Sequence, residues 1–399
     1  MKRVLIIIRA LTHGGAEKSL VSFLNTIDED FLRNNEISID LLLTQRKQFF
    51  EHQLPDYVNI IDCPSDYAAY CNPLSSLMDR KRVLLNNFSR KVYSVIVKRM
   101  LGKTSNLSLG ELQWKYVGRT LGVFPEEYDV AMAYFHDASA YYLIDKVKAK
   151  RKIIWIHNEY EKLGYTDDFE REYYSRADKI VTISNRCVSS FVKHFPELND
   201  RVEMIENISS RAFINKMAGD LMPDEFMADT INILSVGRLC DQKGYDIGIE
   251  AFHRIKDINV PYHWYIMGTG EKEKELTELI NRYNLQNKIT LLGLRVNPYP
   301  YIKYCNIFFQ PSRYEGKSIA LDEAMILERP IVITAYDTAA DSITNGLNGR
   351  ICGMSCEEVA EGVKELIIDA QLRERLSTQL RIENHGNEKE IEKYYELMK

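Results

Sequence analysis

The chain has no apolar run approaching the roughly 20 residues that a membrane-spanning helix needs. Its N-terminal run, Val4-Leu-Ile-Ile-Ile8, is too short for a signal peptide and reads as a first buried strand. Charge of neither sign dominates: 52 Lys and Arg stand against 57 Asp and Glu, a net charge of −5. That balance gives no whole-chain case for a nucleic-acid partner. The seven cysteines (63, 71, 187, 240, 305, 352 and 356) form no paired CxxC set, and Cys352 and Cys356 make a lone CxxxC. An odd count without a secretory segment points to a reduced, cytosolic compartment. No cluster of His, Cys or Asp has metal-ligand spacing, and no DxD pair follows a strand. The GxGxxG fingerprint, the GxxxxGK[ST] loop and the GxSxG elbow are all missing, which sets aside their associated chemistries.

What is present is strand–helix alternation, twice over. The first half opens with a strand at Val4–Ile8, a glycine turn at His13-Gly14-Gly15 and a helix at Ala16–Ile27. In that helix Ala16, Leu20, Leu24 and Ile27 recur at helical spacing. Further strands are expected at Ile37–Leu43, Val58–Ile61, Val130–Tyr134, Lys152–His157 and Lys179–Ile183. The pattern restarts with Ile231–Val236, His263–Met267, Ile289–Leu292, Ile307–Gln310 and Pro330–Thr334 as strands. Helices are expected between them at Tyr245–Ile255, at Glu271–Tyr283 and around Asp322–Leu327. The expected fold is therefore α/β, with two Rossmann-like, doubly wound parallel domains facing a cleft. The polar, irregular stretch Ser209–Asp229 is expected to link them, between a domain over residues 1–210 and one over 225–387. One stretch departs from the alternation. Arg80–Lys103 carries eight Lys and Arg, no acid, and interleaved apolar residues. It reads equally as an anionic-membrane contact or as an ordinary amphipathic surface helix.

Residues able to carry chemistry gather at expected strand ends. Glu315 and Glu323 flank a strand–helix junction in Pro311-Ser-Arg-Tyr-Glu-Gly-Lys-Ser-Ile-Ala-Leu-Asp-Glu323. One lies on the loop and the other about a turn and a half into the helix. Open α/β sheets bind ligands at that edge, and a helix N-terminus there favours an anion. By spacing alone the pair reads as a surface loop and a solvated helix glutamate; with the surrounding residues it reads as a site for a phosphorylated, hydroxyl-rich molecule. Arg238 and Lys243 flank the loop Gly237–Gly244. This is either a solvated loop or a pair of cations for a diphosphate leaving group, and these residues alone do not choose. Gly268-Thr269-Gly270 reads first as a tight turn. Gly14-Gly15 taken alone reads first as a turn, and would also let a ligand approach the backbone. His157 ends an apolar strand, while His136 with Asp137 reads as structural.

Taken together, six motifs resemble the retaining glycosyltransferases of family 4, which have the GT-B fold. They are Gly14-Gly15-Ala16-Glu17; His157; Gly237-Arg238 with Lys243-Gly244; Gly268-Thr-Gly-Glu271; Leu292-Gly293 with Asn297; and Glu315 with Glu323. They occur in family order along nearly the whole chain, and the second half is closer to pattern than the first. The resemblance implies a residue-by-residue assignment. Arg238 and Lys243 would bind the donor diphosphate beside Gly237 and Gly268. Glu315 would contact sugar hydroxyls, and Glu323 the ribose. The N–H groups around Ser318 and Ile319 would meet phosphate. His157 would contact the donor sugar, Gly15 would allow close backbone approach, and the base would lie near Leu294 and Arg295. The first domain would bind the acceptor, and residues 388–399 would cross back to it.

The same resemblance implies a metal-independent hexosyltransferase without a cofactor. Its donor would be a nucleotide sugar, UDP-linked, and its acceptor lipid-linked or a polysaccharide of capsule, exopolysaccharide or cell wall. Retention without a nucleophile implies front-face attack, the leaving phosphate helping to deprotonate the acceptor. The expected location is the cytoplasm, peripheral on the inner face of the membrane through residues 80–103. Two departures stand out. Lys317 replaces the aromatic or apolar residue that family members often carry after Glu-Gly, and Ile205-Glu206-Asn207 replaces the usual Pro-Asn-Gly. Other readings are a sugar-nucleotide 2-epimerase on the same fold and a non-catalytic partner in glycan assembly.

Overall fold

Val4 to Ile8 are only 0–3% exposed and make up most of the first strand, β1 (Lys2–Ile8). A strand buried on both faces belongs to a parallel sheet covered by helices, so no polar alternation is needed. The computed structural model describes residues 1–12, 14–46, 50–71 and 107–399, and the basic stretch Arg80–Lys103 lies outside the described residues. The chain divides into two compact units, one of Met1–Ile208 with Lys389–Lys399 and the other of Ser209–Glu388.

Among the described residues, the first unit holds seven strands: β1, β2 (Ile37–Leu43), β3 (Val58–Ile61), β4 (Glu127–Ala133), β5 (Lys148–Ile156), β6 (Lys179–Thr182) and β7 (Val202–Met204). All pair in parallel, in the order β3-β2-β1-β4-β5-β6-β7. The order reverses between β1 and β4, so the loops leaving these two strands diverge and open a crevice at the carboxyl edge. The helix Gly15–Thr26 buries Leu20, Phe23 and Leu24. The terminal helix Ile391–Met398 packs on this unit. Tyr394 stacks on Phe23 at 4.3 Å and on Trp155 at 5.1 Å, and Tyr395 stacks on Phe31 at 3.7 Å.

The second unit holds six strands among its described residues: β8 (Ile231–Val236), β9 (Tyr262–Met267), β10 (Ile289–Gly293), β11 (Ile307–Gln310), β12 (Ile331–Thr334) and β13 (Arg350–Cys352). The order is β10-β9-β8-β11-β12-β13, again parallel, with the reversal between β8 and β11. Ile233 pairs with Ile307 and Leu234 with Phe308, a register that brings Val236 and Gln310, the last residues of the two strands, level. The loops that leave them therefore start side by side. This is the α/β, doubly wound arrangement expected of each half.

One expectation fails in detail. The stretch Ser209–Asp229 is not irregular throughout, because Arg211–Ala218 is a helix. Ser210 caps it by accepting from the Phe213 N–H, and the buried Phe213 and Ile214 anchor it. The ring partner of Phe213 is Tyr299, 6.2 Å away across an edge-to-face contact and far off in sequence.

Candidate functional site

In the second unit the two loops at the strand reversal are locked together. The first is Gly237–Gly244 after β8 and the second Pro311–Ser318 after β11. The Lys243 ammonium lies 2.7 Å from Glu315 Oε1, with the side chains only 15% and 6% exposed. Ser312 Oγ donates to the same oxygen at 2.6 Å, and Gln242 Nε2 lies 3.3 Å from Oε2. Gln242 Nε2 also donates to the Tyr314 carbonyl at 3.0 Å, and the Arg313 N–H donates to the Gln242 carbonyl at 2.8 Å. Thr338 Oγ1 donates to the Glu315 carbonyl at 3.1 Å. The glutamate is thus fixed by several donors, and its charge is met by a lysine.

Glycines make this closeness possible. Gly244 has φ +61°, and a Cβ there would stand 2.0 Å from the Pro311 carbonyl oxygen. At Gly268, φ +147°, a Cβ would stand 2.0 Å from the Gly237 carbonyl oxygen; at Gly270 it would stand 2.3 Å from that of Leu239. The Gly268-Thr269-Gly270 turn therefore lies directly against the Gly237–Leu239 backbone, with Leu239 N–H donating to Thr269 O at 3.0 Å. Its glycines answer to loop packing.

Arg238 is exposed at the start of its loop. Lys317 is exposed next to Gly316, around which a Cβ would meet nothing within 4 Å. Ser318 caps the helix Ile319–Ile326, accepting from Leu321 N–H at 3.4 Å and donating to Gln310 Oε1 at 2.8 Å. The Ile319 and Ala320 N–H groups at the start of that helix have no intrahelical acceptor and point toward the carboxyl edge, whereas the Leu321 and Asp322 N–H groups donate to the Ser318 carbonyl at 3.1 Å. Glu323 lies deeper, 1% exposed. The Tyr299 phenol hydrogen-bonds it, and burial together with that carboxylate pushes the phenol well above its usual range. Arg295 is engaged by the protein itself: Glu225 at 2.9 Å, Tyr301 OH at 3.1 Å and the Leu292 carbonyl at 2.6 Å. Leu294 beside it is 36% exposed. Arg238, Lys243, Glu315, Lys317 and Ser318 thus share the β8/β11 edge, whereas Arg295 tethers a neighbouring loop.

In the first unit Gly14 caps the helix Gly15–Thr26, and Gly15 is exposed. The Glu17 carboxylate folds back over the helix start, 2.1 Å from where a Gly14 Cβ would stand, and accepts from Thr12 Oγ1 at 3.0 Å. An anion at this helix start would meet a carboxylate already there, so the position favours a hydroxyl. His157, 9% exposed, places Nε2 3.0 Å from the Tyr134 carbonyl. A carbonyl only accepts, so Nε2 carries the proton and Nδ1 the lone pair. Burial pushes this ring down to about 3, helped by His136, whose own ring burial lowers to about 4. Both imidazoles are neutral at ordinary pH. His157 Nδ1 is buried beside Asn207 without a hydrogen bond of good geometry. It can accept from a hydroxyl but is poorly suited to shuttle protons. Asp137 has a structural task, capping the helix Ala138–Lys146 through Ser139 N–H at 2.9 Å.

Sequence reasoning missed Ser312, Gln242, Tyr299 and the Arg313 guanidinium, which lies 2.8 and 2.5 Å from the two Asp246 carboxylate oxygens. Ser312 and Gln242 sit inside the very loops singled out, and a search for donors next to Glu315 and Lys243 would have raised them. Tyr299 and Glu225 carry no local signal, because their partners lie far away in sequence.

Residues 224–382 match the family described as glycosyl transferases group 1. Among curated relatives, the chain is 30% identical over 203 residues to the N-acetylgalactosamine-N,N'-diacetylbacillosaminyl-diphospho-undecaprenol 4-alpha-N-acetylgalactosaminyltransferase of Campylobacter jejuni, covering 50% of this chain and 53% of that one. It is 25% identical over 251 residues to the poly(ribitol-phosphate) alpha-N-acetylglucosaminyltransferase of Staphylococcus aureus, covering 60% and 48%. The chain spans about half the length of the curated relatives it matches. The Anabaena protein Alr3699/HepE, solved with UDP and glucose, superposes with a TM-score of 0.65 at 15% identity over 99% of this chain and 98% of that one. Staphylococcus aureus TarM superposes at 0.63 and 13% identity over 100% of both chains. The chain therefore resembles the GT-B glycosyltransferases, in the second unit by sequence and in both units by fold.

Proposed function

We propose that the chain is a retaining, metal-independent glycosyltransferase. It moves a hexose from a nucleotide sugar, UDP-linked, to a lipid-linked or polysaccharide acceptor in capsule, exopolysaccharide or cell-wall glycan synthesis. The observation that carries this reading is the Lys243–Glu315 pair beside Arg238 at the β8/β11 reversal. As the glycosidic bond to the diphosphate breaks, negative charge grows on the β-phosphate. Arg238 and the N-terminus of Ile319–Ile326 are cationic and dipolar partners for that charge, and the Lys243 ammonium turns to it from Glu315. Glu315 orients sugar hydroxyls. Retention follows from attack on the same face, the leaving phosphate taking the acceptor's proton. The relatives named as glycan transferases and the fold neighbour solved with UDP support this choice of donor and acceptor class.

In this reading the enzyme works in the cytoplasm against the inner membrane face, with Arg80–Lys103 meeting anionic lipid. Neutralising Arg80, Lys81, Arg82, Arg90 and Lys91 then weakens co-sedimentation with anionic liposomes, and unchanged sedimentation sinks that part. The donor is tested by thermal shift against UDP-, GDP- and ADP-sugars with and without EDTA, because a ligand of the folded state raises the melting point. UDP-sugars give the largest shift, and EDTA leaves it unchanged. Glu315→Ala abolishes transfer in a folded protein, and full activity in that variant refutes the site.

A further inference from the structure

The Lys243–Glu315 pair has a second consequence. We infer that Glu315 discriminates the nucleotide sugar from the free nucleoside diphosphate and drives the latter out after transfer. This rests on the reading that Arg238 and Lys243 hold a diphosphate.

The carboxylate is the fixed partner of the pair. Ser312 Oγ at 2.6 Å, Gln242 Nε2 at 3.3 Å and the Thr338 bond to its main chain hold Glu315 in place, 6% exposed. Lys243 is the movable partner. Its flexible stem crosses Gly237, where a Cβ would lie 2.9 Å from Lys243 Cε. When a phosphate arrives, the ammonium turns to it, and Glu315 remains a short distance away with the same sign of charge. In a site this shielded, such repulsion is screened less than at a surface.

Two ligands meet that carboxylate differently. In a nucleotide sugar the β-phosphate is a diester with one charge, and the sugar brings hydroxyls that donate to Glu315. During transfer the C1–O bond breaks, and its electron pair goes to the β-phosphate oxygen. The positive charge that develops on the sugar faces the carboxylate and offsets the growing negative charge. Once the sugar has gone to the acceptor, the hydroxyls and the positive charge leave with it. The acceptor oxygen forms the new bond to C1, and its proton passes to the leaving phosphate and from there to solvent. What stays is the terminal phosphate of a diphosphate, carrying close to two charges at neutral pH. One carboxylate thus favours the substrate and opposes the product.

The test is titration calorimetry of the full chain with UDP and with UDP-glucose, comparing wild type with Glu315→Gln, with melting curves as a check on folding. Gln keeps an oxygen for Ser312 and Lys243 while removing the charge. UDP binds about tenfold tighter to Glu315→Gln, the scale of one partly buried like-charge contact, while UDP-glucose binds no tighter. Gln242→Glu, which adds a carboxylate at the same spot, gives the opposite result and weakens UDP more than UDP-glucose. Unchanged or weaker UDP binding in Glu315→Gln, with wild type binding normally, overturns this inference alone. If wild type binds none of UDP, GDP and ADP, the nucleotide-sugar reading falls, and this inference with it.

Discussion

Arg313 forks onto Asp246, its two terminal nitrogens 2.8 and 2.5 Å from the two carboxylate oxygens. It also donates to the Asp241 carbonyl at 2.8 Å. One residue of the second loop thereby grips both the end of the first loop and the helix Tyr245–Arg254 that follows. Burial alone would raise the Asp246 carboxyl, but the Arg313 bonds and charge hold it below the usual range. The fork joins the two loops that carry Lys243 and Glu315 without touching either residue.

Arg313→Lys keeps the charge but loses the planar fork. At a pair about a third exposed, the loss is about 1 kcal/mol or less in stability. Under the proposed function, nucleotide-sugar binding weakens about fivefold or more, the effect expected when the positioning of the loops slips. Asp246→Asn behaves the same way. Reversing the pair as Arg313→Asp with Asp246→Arg restores part of the loss. Steady-state KM together with chemical unfolding checks this, and an unchanged KM in both single variants removes the positioning role.

Gly244→Ala meets two penalties at once. Its φ of +61° is left-handed, and the new Cβ falls 2.0 Å from the Pro311 carbonyl oxygen. The expected destabilisation is about 2 kcal/mol or more, read from urea unfolding. Gly316→Ala is the contrast: its surroundings are open, and stability stays within about 0.5 kcal/mol. Equal effects at the two positions would contradict the close contact between the loops.

Acid weakens the first unit through its two buried histidines. Folding lowers His136 from 6.5 to about 4 and His157 from 6.5 to about 3, both through burial. Their contribution is fully present above pH 6.5 and is lost as pH falls toward those lowered values, because the unfolded chain takes the protons first. The loss is about 2 kcal/mol for each at pH 5. Glu170 runs the other way. Burial raises it from 4.5 to about 8 despite bonds from Tyr141 and Tyr174. Its contribution is present below pH 4.5 and is lost as pH rises toward 8. Melting temperature as a function of pH checks both signs: His136→Gln flattens the acid limb, and Glu170→Gln raises stability at pH 8. An acid limb unaffected by His136→Gln would contradict the assignment.

The strands that the sequence revealed most clearly are those with dense apolar runs. Ile37–Leu43, Val58–Ile61, Ile231–Val236 and Ile307–Gln310 end where the apolar pattern ends. β7 and β13 escaped notice because three residues, Val202-Glu-Met and Arg350-Ile-Cys, hold too little pattern to read. The helix Arg211–Ala218 escaped because its burial depends on Tyr299, which no local periodicity announces. At the candidate site, charged and glycine residues at strand ends were legible through type and spacing. What was not legible was who pairs with whom. That Glu315 neutralises Lys243, that Glu17 occupies its own helix start and that Glu225 holds Arg295 all follow from side-chain directions set by the fold.

The terminal helix supplies a last prediction. Tyr394 is 1% exposed, stacks on Phe23 and Trp155, and donates to the Glu206 carbonyl at 3.1 Å. Tyr395 accepts from the Asp28 N–H at 2.9 Å, the residue that caps the helix Glu29–Asn34. The helix Ile391–Met398 is eight residues long, too short to persist alone in water, so packing against the first unit holds it. Tyr394→Ala removes a buried ring and leaves a cavity between Phe23 and Trp155, a loss of about 3–5 kcal/mol. Tyr394→Phe keeps the ring and loses one hydrogen bond, about 1 kcal/mol. Trp155 reports directly, because its fluorescence senses the ring stacked on it. Unfolding followed at tryptophan emission and by far-ultraviolet dichroism separates the two variants by a wide margin. A Tyr394→Ala protein as stable as Tyr394→Phe would mean that the last helix adds nothing to the core of the first unit.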